Sequence, residues 1–177
     1  MANTKWAVDA SHSSIDFSVK HMMIAKVKGS FESFEATIEA NPADLTSANI
    51  EFKVDLASVN TKNGDRDNHL RSADFFDVEN HPEMTFKSTS IVKTDDDEYN
   101  VTGDLTIRGT TKSETFQVVF EGAGKDPWGN EKVGFSATGK INRSDYGLVW
   151  NAALETGGVL VGDQIKISIE IEAGKAE

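Results

Sequence analysis

A two-residue alternation of apolar and polar side chains recurs along most of this chain, and it constrains the fold more than any other feature. In residues 165–171, for example, isoleucine occupies every second position. Such alternation is typical of strands with one buried and one solvated face. The alternating rows are the segments 15–21, 34–40, 50–56, 84–88, 99–107, 116–120, 133–141 and 165–171.

About eight or nine strands at this spacing predict an antiparallel meander, which needs a sandwich or a closed barrel to bury its apolar faces. We therefore expect an all-β, antiparallel barrel of about eight strands, formed by residues 1–177 as a single domain. A barrel of this size can be filled by side chains or can hold one small ligand. The alternation alone leaves both interiors open.

One segment, residues 63–76, has no alternation and reads NGDRDNHLRSADFF. It predicts a short helical excursion between strands, with Asn63 or Asp65 as its N-cap. Asp67 and Arg71 are four residues apart and could pair on the helix surface. We expect this excursion to close one end of the barrel.

Charge and composition exclude several classes of function. The net charge of -11 disfavours nucleic acids and anionic membrane surfaces as partners. The absence of cysteine excludes disulfides, thiolate metal sites and a cysteine nucleophile. No stretch approaches the ~20 apolar residues of a transmembrane helix. No signal peptide is visible, which favours a cytoplasmic protein or a mature form with an added methionine.

The histidines do not indicate a metal site or a catalytic site. His12, His21, His69 and His81 occur in separate segments and form no metal-binding spacing. Asp9, Ser11 and His12 are close in sequence, but neighbours on a strand point in different directions, which argues against a catalytic triad. We predict no catalytic residue and no metal ligand.

The chain has only four arginines, and each has two interpretations. Arg66, Arg71, Arg108 and Arg143 could bind a carboxylate or phosphate of a ligand. Alternatively, they could pair with internal aspartates and hold loops in place. We favour the pairing, for which the candidate partners are Asp67, Asp74 and Asp145.

Taken together, several stretches resemble the YceI-like family of polyisoprenoid-binding proteins. The resemblance covers nearly the whole chain in order, and residues 66–78 are its most specific part. Many relatives carry an export leader, which is not visible here. The matching stretches are WAVD (6–9) with His12 and Ser13, IDFSVKH (15–21), VKGSF (27–31), RDNHLRSADFFDV (66–78), Pro82, FKS (86–88), GDLTIRGTT (103–111), NRSDYGL (142–148) and VGD (161–163).

This resemblance implies a lipocalin-like, extended barrel with an isoprenoid chain, of the quinone or polyprenyl phosphate type, in an internal apolar tunnel. The role implied is carriage or storage, in some relatives linked to stress. The family has no assigned catalytic residues, so we expect a protein that is not an enzyme and needs no cofactor. The expected partner is the lipid, and the sequence leaves a homodimer open.

Strand alternation then selects the residues that would line the tunnel, and the excursion supplies those that would close it. Candidates for contact with a polar head are Arg66, His69 and Arg71, although a salt-bridge network is the favoured role for Arg71. The expected tunnel residues are Phe17, Val19, His21, Phe52, Val54, Leu56, Leu70, Phe75, Phe76, Phe86, Leu105, Ile107, Phe135 and Ile141.

Two alternatives remain at this point. An enzyme acting on an apolar substrate would need a titratable group beside the ligand, with His21 and His69 as the first candidates. A stress-associated interaction module would have a packed barrel and act through its surface.

Overall fold

The computed structural model describes residues 3–152, 154 and 160–176, in which β-strands dominate. One α-helix is present among these residues, α1 at Gly64–Arg71, and short 3₁₀ turns lie at Ala10–His12, Leu56–Ser58 and Arg143–Tyr146. The strands are β1 Thr4–Val8, β2 Ser14–His21, β3 Ala25–Phe31, β4 Phe34–Asn41, β5 Asp44–Asp55, β6 Val59–Asn60, β7 Glu83–Asp95, β8 Glu98–Ile107, β9 Thr110–Lys125, β10 Glu131–Asn142 and β11 Val161–Lys175.

Eight of these strands close into an antiparallel barrel. Their order is β1, β4, β5, β7, β8, β9, β10 and β11, and β11 pairs back onto β1. The closing contact places Trp6 opposite Lys175 and Val8 opposite Ala173. Closure removes the exposed sheet edges that an open meander of this length would leave. The expected all-β barrel is confirmed.

The remaining strands lengthen the barrel at one end. Only the last residues of β11 pair with β1, whereas its first two thirds pair with β2, from His21 opposite Val161 to Ser14 opposite Glu170. β2 continues into β3 through a hairpin, and β3 pairs with the short β6. α1 follows β6 directly, so the helix lies at this extended end, called here the α1 end.

The buried faces of the strands meet inside the barrel, as the alternation predicts. In β8, Tyr99, Val101, Leu105 and Ile107 are all buried, and the residues between them are not, except for Gly103. Each buried row packs against the rows of its neighbours because successive side chains point to opposite faces of the sheet. The interior is therefore apolar around its full circumference.

Two interior glycines are explained by aromatic rings that lie across the neighbouring strand. Gly29 is opposite Phe17 in the β2–β3 ladder, and a Cβ atom at Gly29 would lie 2.5 Å from Phe17 Cζ. A Cβ at Gly139 would collide in the same way with the Phe116 ring. These glycines thus admit large rings into a narrow interior, where a larger residue would force the rings to move.

Helix α1 confirms the predicted excursion, and its cap is Asn63. The Asn63 side chain accepts a hydrogen bond from the Arg66 backbone N–H at 3.1 Å. The predicted pair between Asp67 and Arg71 is wrong. Asp67 Oδ1 instead accepts hydrogen bonds from the backbone N–H and the hydroxyl of Thr61, which tie the helix to the residue that follows β6. A buried carboxylate needs such donors, and Thr61 supplies them at fixed positions.

Candidate ligand-binding site

The barrel encloses two cavities that share part of their lining. The inner cavity, of about 100 Å³, lies among β4, β5, β7–β11 and the start of β2. The outer cavity, of about 240 Å³, lies at the α1 end. Ile15, Met84 and Ile167 line both of them. The two cavities therefore adjoin at these three side chains, and together they are called here the tunnel.

The inner cavity is lined almost entirely by hydrocarbon. Thr85 and Ser136 are the polar residues in its lining, and the other lining residues are Ile, Leu, Val, Ala, Phe and Met. Such a surface can gain free energy only from apolar groups, because a polar ligand atom would lose its water without finding a partner. The inner cavity can thus accept a hydrocarbon chain but not a head group.

The outer cavity is also mainly apolar, but six polar residues contribute to its lining. Phe31, Phe75, Phe76 and Trp150 supply aromatic surface. The polar residues in the lining are Asp16, Lys20, His21, Arg66, His69 and Arg143. Polar groups occur mainly at one end of the tunnel, so a ligand with a polar head and an apolar tail has one preferred direction.

The structure brings most of the predicted tunnel residues together. The inner cavity contains Phe52, Val54, Phe86, Leu105 and Phe135. The outer cavity contains Phe17, Val19, His21, Leu70, Phe75, Phe76, Ile107 and Ile141, together with Arg66 and His69. The sequence selection missed several inner residues of equal standing, among them Ile38, Leu45, Val101, Val118, Ile169 and Ile171. All of these positions except Leu45 lie in the alternating rows of the sequence, and that alternation is the signal that could have identified them.

Leu56 and Arg71 line neither cavity. The alternation of β5 ends at Asp55, whose carboxylate accepts a hydrogen bond from the Ala57 N–H at 3.1 Å and starts a 3₁₀ turn. This turn carries the Leu56 side chain into the packed core, where it is completely buried. Arg71 turns back toward the same segment and donates to the carbonyls of Ala57 and Val59.

The four arginines hold backbone rather than carboxylates, contrary to the expected aspartate pairing. No arginine forms an ion pair with a carboxylate among the residues that the structure describes. Arg66 donates to the Thr61 carbonyl and Arg108 donates to the Phe75 carbonyl, both at about 2.9 Å or less. Loops around a barrel mouth leave carbonyls without ladder partners, and a guanidinium has five donors to satisfy them. The arginines therefore fix the loops of the α1 end.

Arg143 donates to more backbone carbonyls than any other of the four arginines, and such an arginine is called here a clamp. It was not among the predicted site residues. Its guanidinium donates to the carbonyls of Leu148, Trp150, Val161 and Gly162 at 2.7–3.2 Å. The side chain is 6% exposed, and burial lowers its pKa from the usual value. Arg143 follows Ile141, the last inward residue of β10, by two positions. The two-residue period of that strand is therefore the signal that could have identified Arg143 as inward.

Arg66 and His69 differ in how much of their hydrogen-bonding capacity the protein already uses. Arg66 donates from Nε to the Thr61 hydroxyl and from Nη2 to the Thr61 carbonyl, both at 2.8 Å. Its Nη1 group has no acceptor among the described residues, so it can donate to a ligand. His69 Nε2 lies 2.9 Å from Asp74 Oδ2, and its ring packs edge-on against Phe75 and Trp150. His69 is thus held as part of the wall.

Asp9, Ser11 and His12 do meet in space, but not as a catalytic triad. Ser11 Oγ donates to Asp9 Oδ1 at 2.7 Å, and His12 Nδ1 lies 2.8 Å from Asp9 Oδ2 and 3.4 Å from Glu172 Oε2. Aspartate and serine both contact the same ring nitrogen of His12, whereas a triad places them on opposite nitrogens. The group is exposed and caps the 3₁₀ turn at Ala10–His12.

Contacts within this cluster shift the pKa values of Asp9 and His12. The hydrogen bonds from Ser11 and His12 lower the pKa of Asp9, and Asp9 together with Glu172 raises the pKa of His12 above its usual 6.5. Atoms of Asp9, His12 and Glu172 that could bind a metal lie within 4.8 Å of one another. The short contact between His12 and Asp9 accounts for this proximity as a charge-assisted hydrogen bond.

The closed antiparallel barrel and its apolar tunnel define the class of protein, a small β-barrel built around an internal cavity. The model of the YceI-like domain matches residues 6–173. The chain therefore belongs to the YceI-like family. No helix among the described residues is long and apolar enough to cross a membrane.

Curated relatives and solved structures agree with this assignment. A UPF0312 protein of Staphylococcus aureus is 42% identical over 175 residues, which cover 98% of this chain and 99% of that protein. The Campylobacter jejuni YCEI protein is 38% identical, with a TM-score of 0.77 over 89% of this chain and 90% of that one. Burkholderia cenocepacia BcnA is 25% identical, with a TM-score of 0.82 over 93% and 98% of the two chains.

A more distant neighbour shares the fold. It is described as a polyisoprenoid binding domain from Saccharophagus degradans implicated in plant cell wall breakdown. It is 14% identical, with a TM-score of 0.71 over 97% of this chain and 98% of that one.

Proposed function

We propose that the protein binds a long-chain isoprenoid lipid, with its tail in the inner cavity and its head at the α1 end. The observation that carries this proposal is the asymmetry of the tunnel. Its inner part is hydrocarbon apart from Thr85 and Ser136, whereas Arg66, His69 and Arg143 stand at its outer part.

The shape and chemistry of the tunnel suit a thin, branched hydrocarbon chain. An isoprenoid tail has only apolar surface, and each buried methylene contributes roughly 0.8 kcal/mol. The inner cavity, at about 100 Å³, is smaller than an engineered cavity of ~150 Å³ that admits benzene. A chain that enters through the outer cavity and passes Ile15, Met84 and Ile167 would fill this narrow space end-on.

The head group would face Arg66. Its Nη1 donors suit the oxygens of a quinone ring or of a phosphate, and the aromatic wall of Phe75 and Trp150 suits a flat ring. The shared fold with the polyisoprenoid binding domain of Saccharophagus degradans supports a tunnel of this kind. In this proposal the lipid is cargo, not a cofactor, and the protein carries or stores it without chemical change.

Mass spectrometry of an organic extract of the purified protein tests this function. We expect one isoprenoid species at close to one molecule per protein. Protein stripped of lipid should take up an added isoprenoid quinone and return it chemically unchanged. A folded protein that carries no lipid and refuses added isoprenoids would contradict the proposal. Conversion of the added quinone would favour an enzyme.

A further inference from the structure

The turn between β2 and β3 exposes three consecutive apolar side chains. Met22 is 45% exposed, Met23 is 58% exposed and Ile24 is 85% exposed. These residues are called here the hairpin tip. Three adjacent apolar residues in solvent are unusual for a surface turn, where polar residues are the rule. Three exposed apolar side chains grouped in this way are a candidate contact surface for an apolar partner.

The backbone of the hairpin tip has a conformation that methionine adopts rarely. Met22 and Met23 have φ angles of 54° and 61°, in the left-handed region that glycine and asparagine adopt most readily. Hairpin turns with positive φ usually carry those two residues. Methionine at these two positions is unfavourable for the backbone conformation and for solubility. We therefore infer that the methionine side chains contact another surface.

The hairpin tip adjoins the mouth of the tunnel. The Met22 N–H donates to the Leu160 carbonyl at 2.7 Å, and His21 is paired with Val161. His21, Leu160 and Val161 all line the outer cavity. A surface that receives the hairpin tip would therefore lie directly beside the opening through which a ligand enters.

Lysines surround the hairpin tip although the whole chain has a net charge of -11. Lys20 and Lys26 lie opposite each other across the hairpin, and Lys28 follows on the same face of β3. All three are exposed, and none forms an ion pair with an acidic residue in the described part of the chain. Like charges placed opposite each other weaken a hairpin, so an external anionic partner would stabilise this arrangement.

We propose that the hairpin tip inserts into the interface of an anionic lipid bilayer and places the tunnel mouth against the membrane. Met22, Met23 and Ile24 would enter the boundary between head groups and acyl chains, while the three lysines contact lipid phosphates. The acidic remainder of the barrel is repelled by the same surface, which orients the protein with this end down. The docking does not depend on which lipid occupies the tunnel.

The opposite end of the barrel provides a matched control. Trp128 is 82% exposed in the β9–β10 turn, and β10 starts beside the end of β11, whereas the hairpin tip adjoins its start. The two turns are thus separated by most of the length of β11. The flanks of Trp128 carry two acidic residues, Asp126 and Glu131, and two lysines, Lys125 and Lys132, so their charges balance, whereas the three lysines around the hairpin tip give it a net positive surround.

Co-sedimentation of the full chain with vesicles free of isoprenoid tests the docking. Vesicles of phosphatidylcholine with phosphatidylglycerol are compared with vesicles of phosphatidylcholine alone. We expect binding to the anionic vesicles that Met23→Ser/Ile24→Ser abolishes. Replacing Lys20, Lys26 and Lys28 by glutamine should weaken it about a hundredfold, since each lysine near an anionic surface contributes roughly fivefold. Trp128→Ser should bind as the unchanged protein does.

Circular dichroism confirms that each variant is folded, which is expected because every replaced side chain is exposed. Equal binding by the hairpin-tip variants and the unchanged protein would overturn the proposal, as would an equal loss on Trp128→Ser. A dimer that depends on the hairpin tip, with no binding to either vesicle, would also overturn it and assign the patch to a second copy. Lipid uptake measured in detergent would remain intact in all these cases if the proposed function holds.

Discussion

Ala137→Leu tests whether the inner cavity holds the end of an isoprenoid tail. Ala137 lies on β10 and lines the inner cavity, whose volume is about 100 Å³. Leucine adds three carbon atoms to this space and should exclude about three methylene-sized groups of the ligand. At ~0.8 kcal/mol for each group, the loss is about 2.4 kcal/mol, or roughly fifty-fold in the dissociation constant. The leucine fills existing space, so the barrel should stay folded.

The assay is quenching of tryptophan fluorescence by isoprenoid quinones of increasing tail length. Trp150 lines the outer cavity and should report the bound ring, while Trp6 and Trp128 lie outside both cavities. Ala137→Leu should weaken binding of the long quinones and leave a quinone with a very short tail unaffected. Thr138→Leu, the next residue on the exposed face of β10, is the matched control. Unchanged affinity of folded Ala137→Leu for every tail length would refute a tail in the inner cavity.

Three further predictions concern the polar groups. Arg66→Gln should weaken ligands with a phosphate head by about tenfold or more and change neutral quinones much less, measured by the same titration; equal losses would remove Arg66 from the head site. Arg143→Met should lower the free energy of unfolding by about 3–5 kcal/mol in denaturant titration, because four carbonyls lose a charged donor, and a loss below 1 kcal/mol would show that the clamp is dispensable. His12 should titrate above 6.5 in NMR, and Asp9→Asn should return its pKa toward that value; its stabilising contact is complete below pH 6.5 and is lost as the pH rises through the raised pKa.

The arginines at the barrel mouth differ in function. Some only hold the backbone of the loops, and one also has a donor group for a ligand. Arg143 and Arg71 donate to backbone carbonyls and shape the rim. Arg66 also holds backbone, yet its Nη1 group remains for a ligand. We expect losses of stability from the first two and losses of head-group selectivity from the third.

The sequence by itself determined the strands and the faces that they bury. A two-residue period is a local property of the extended backbone, so rows such as Ile165 to Ile171 identify inward positions without knowledge of their neighbours. The excursion at 63–76 was equally readable, because its cap and loss of alternation are local signals. Most predicted tunnel residues line the cavities for this reason.

Only the tertiary structure decided where the alternation stops and which partners the polar groups find. Leu56 left the tunnel because a 3₁₀ turn rotates it after Asp55, and the arginines bound carbonyls that are distant in sequence. The division of the interior into two cavities depends on Ile15, Met84 and Ile167, which come from three strands. These features arise from the packing of distant segments against one another, so no local pattern in the sequence carries them.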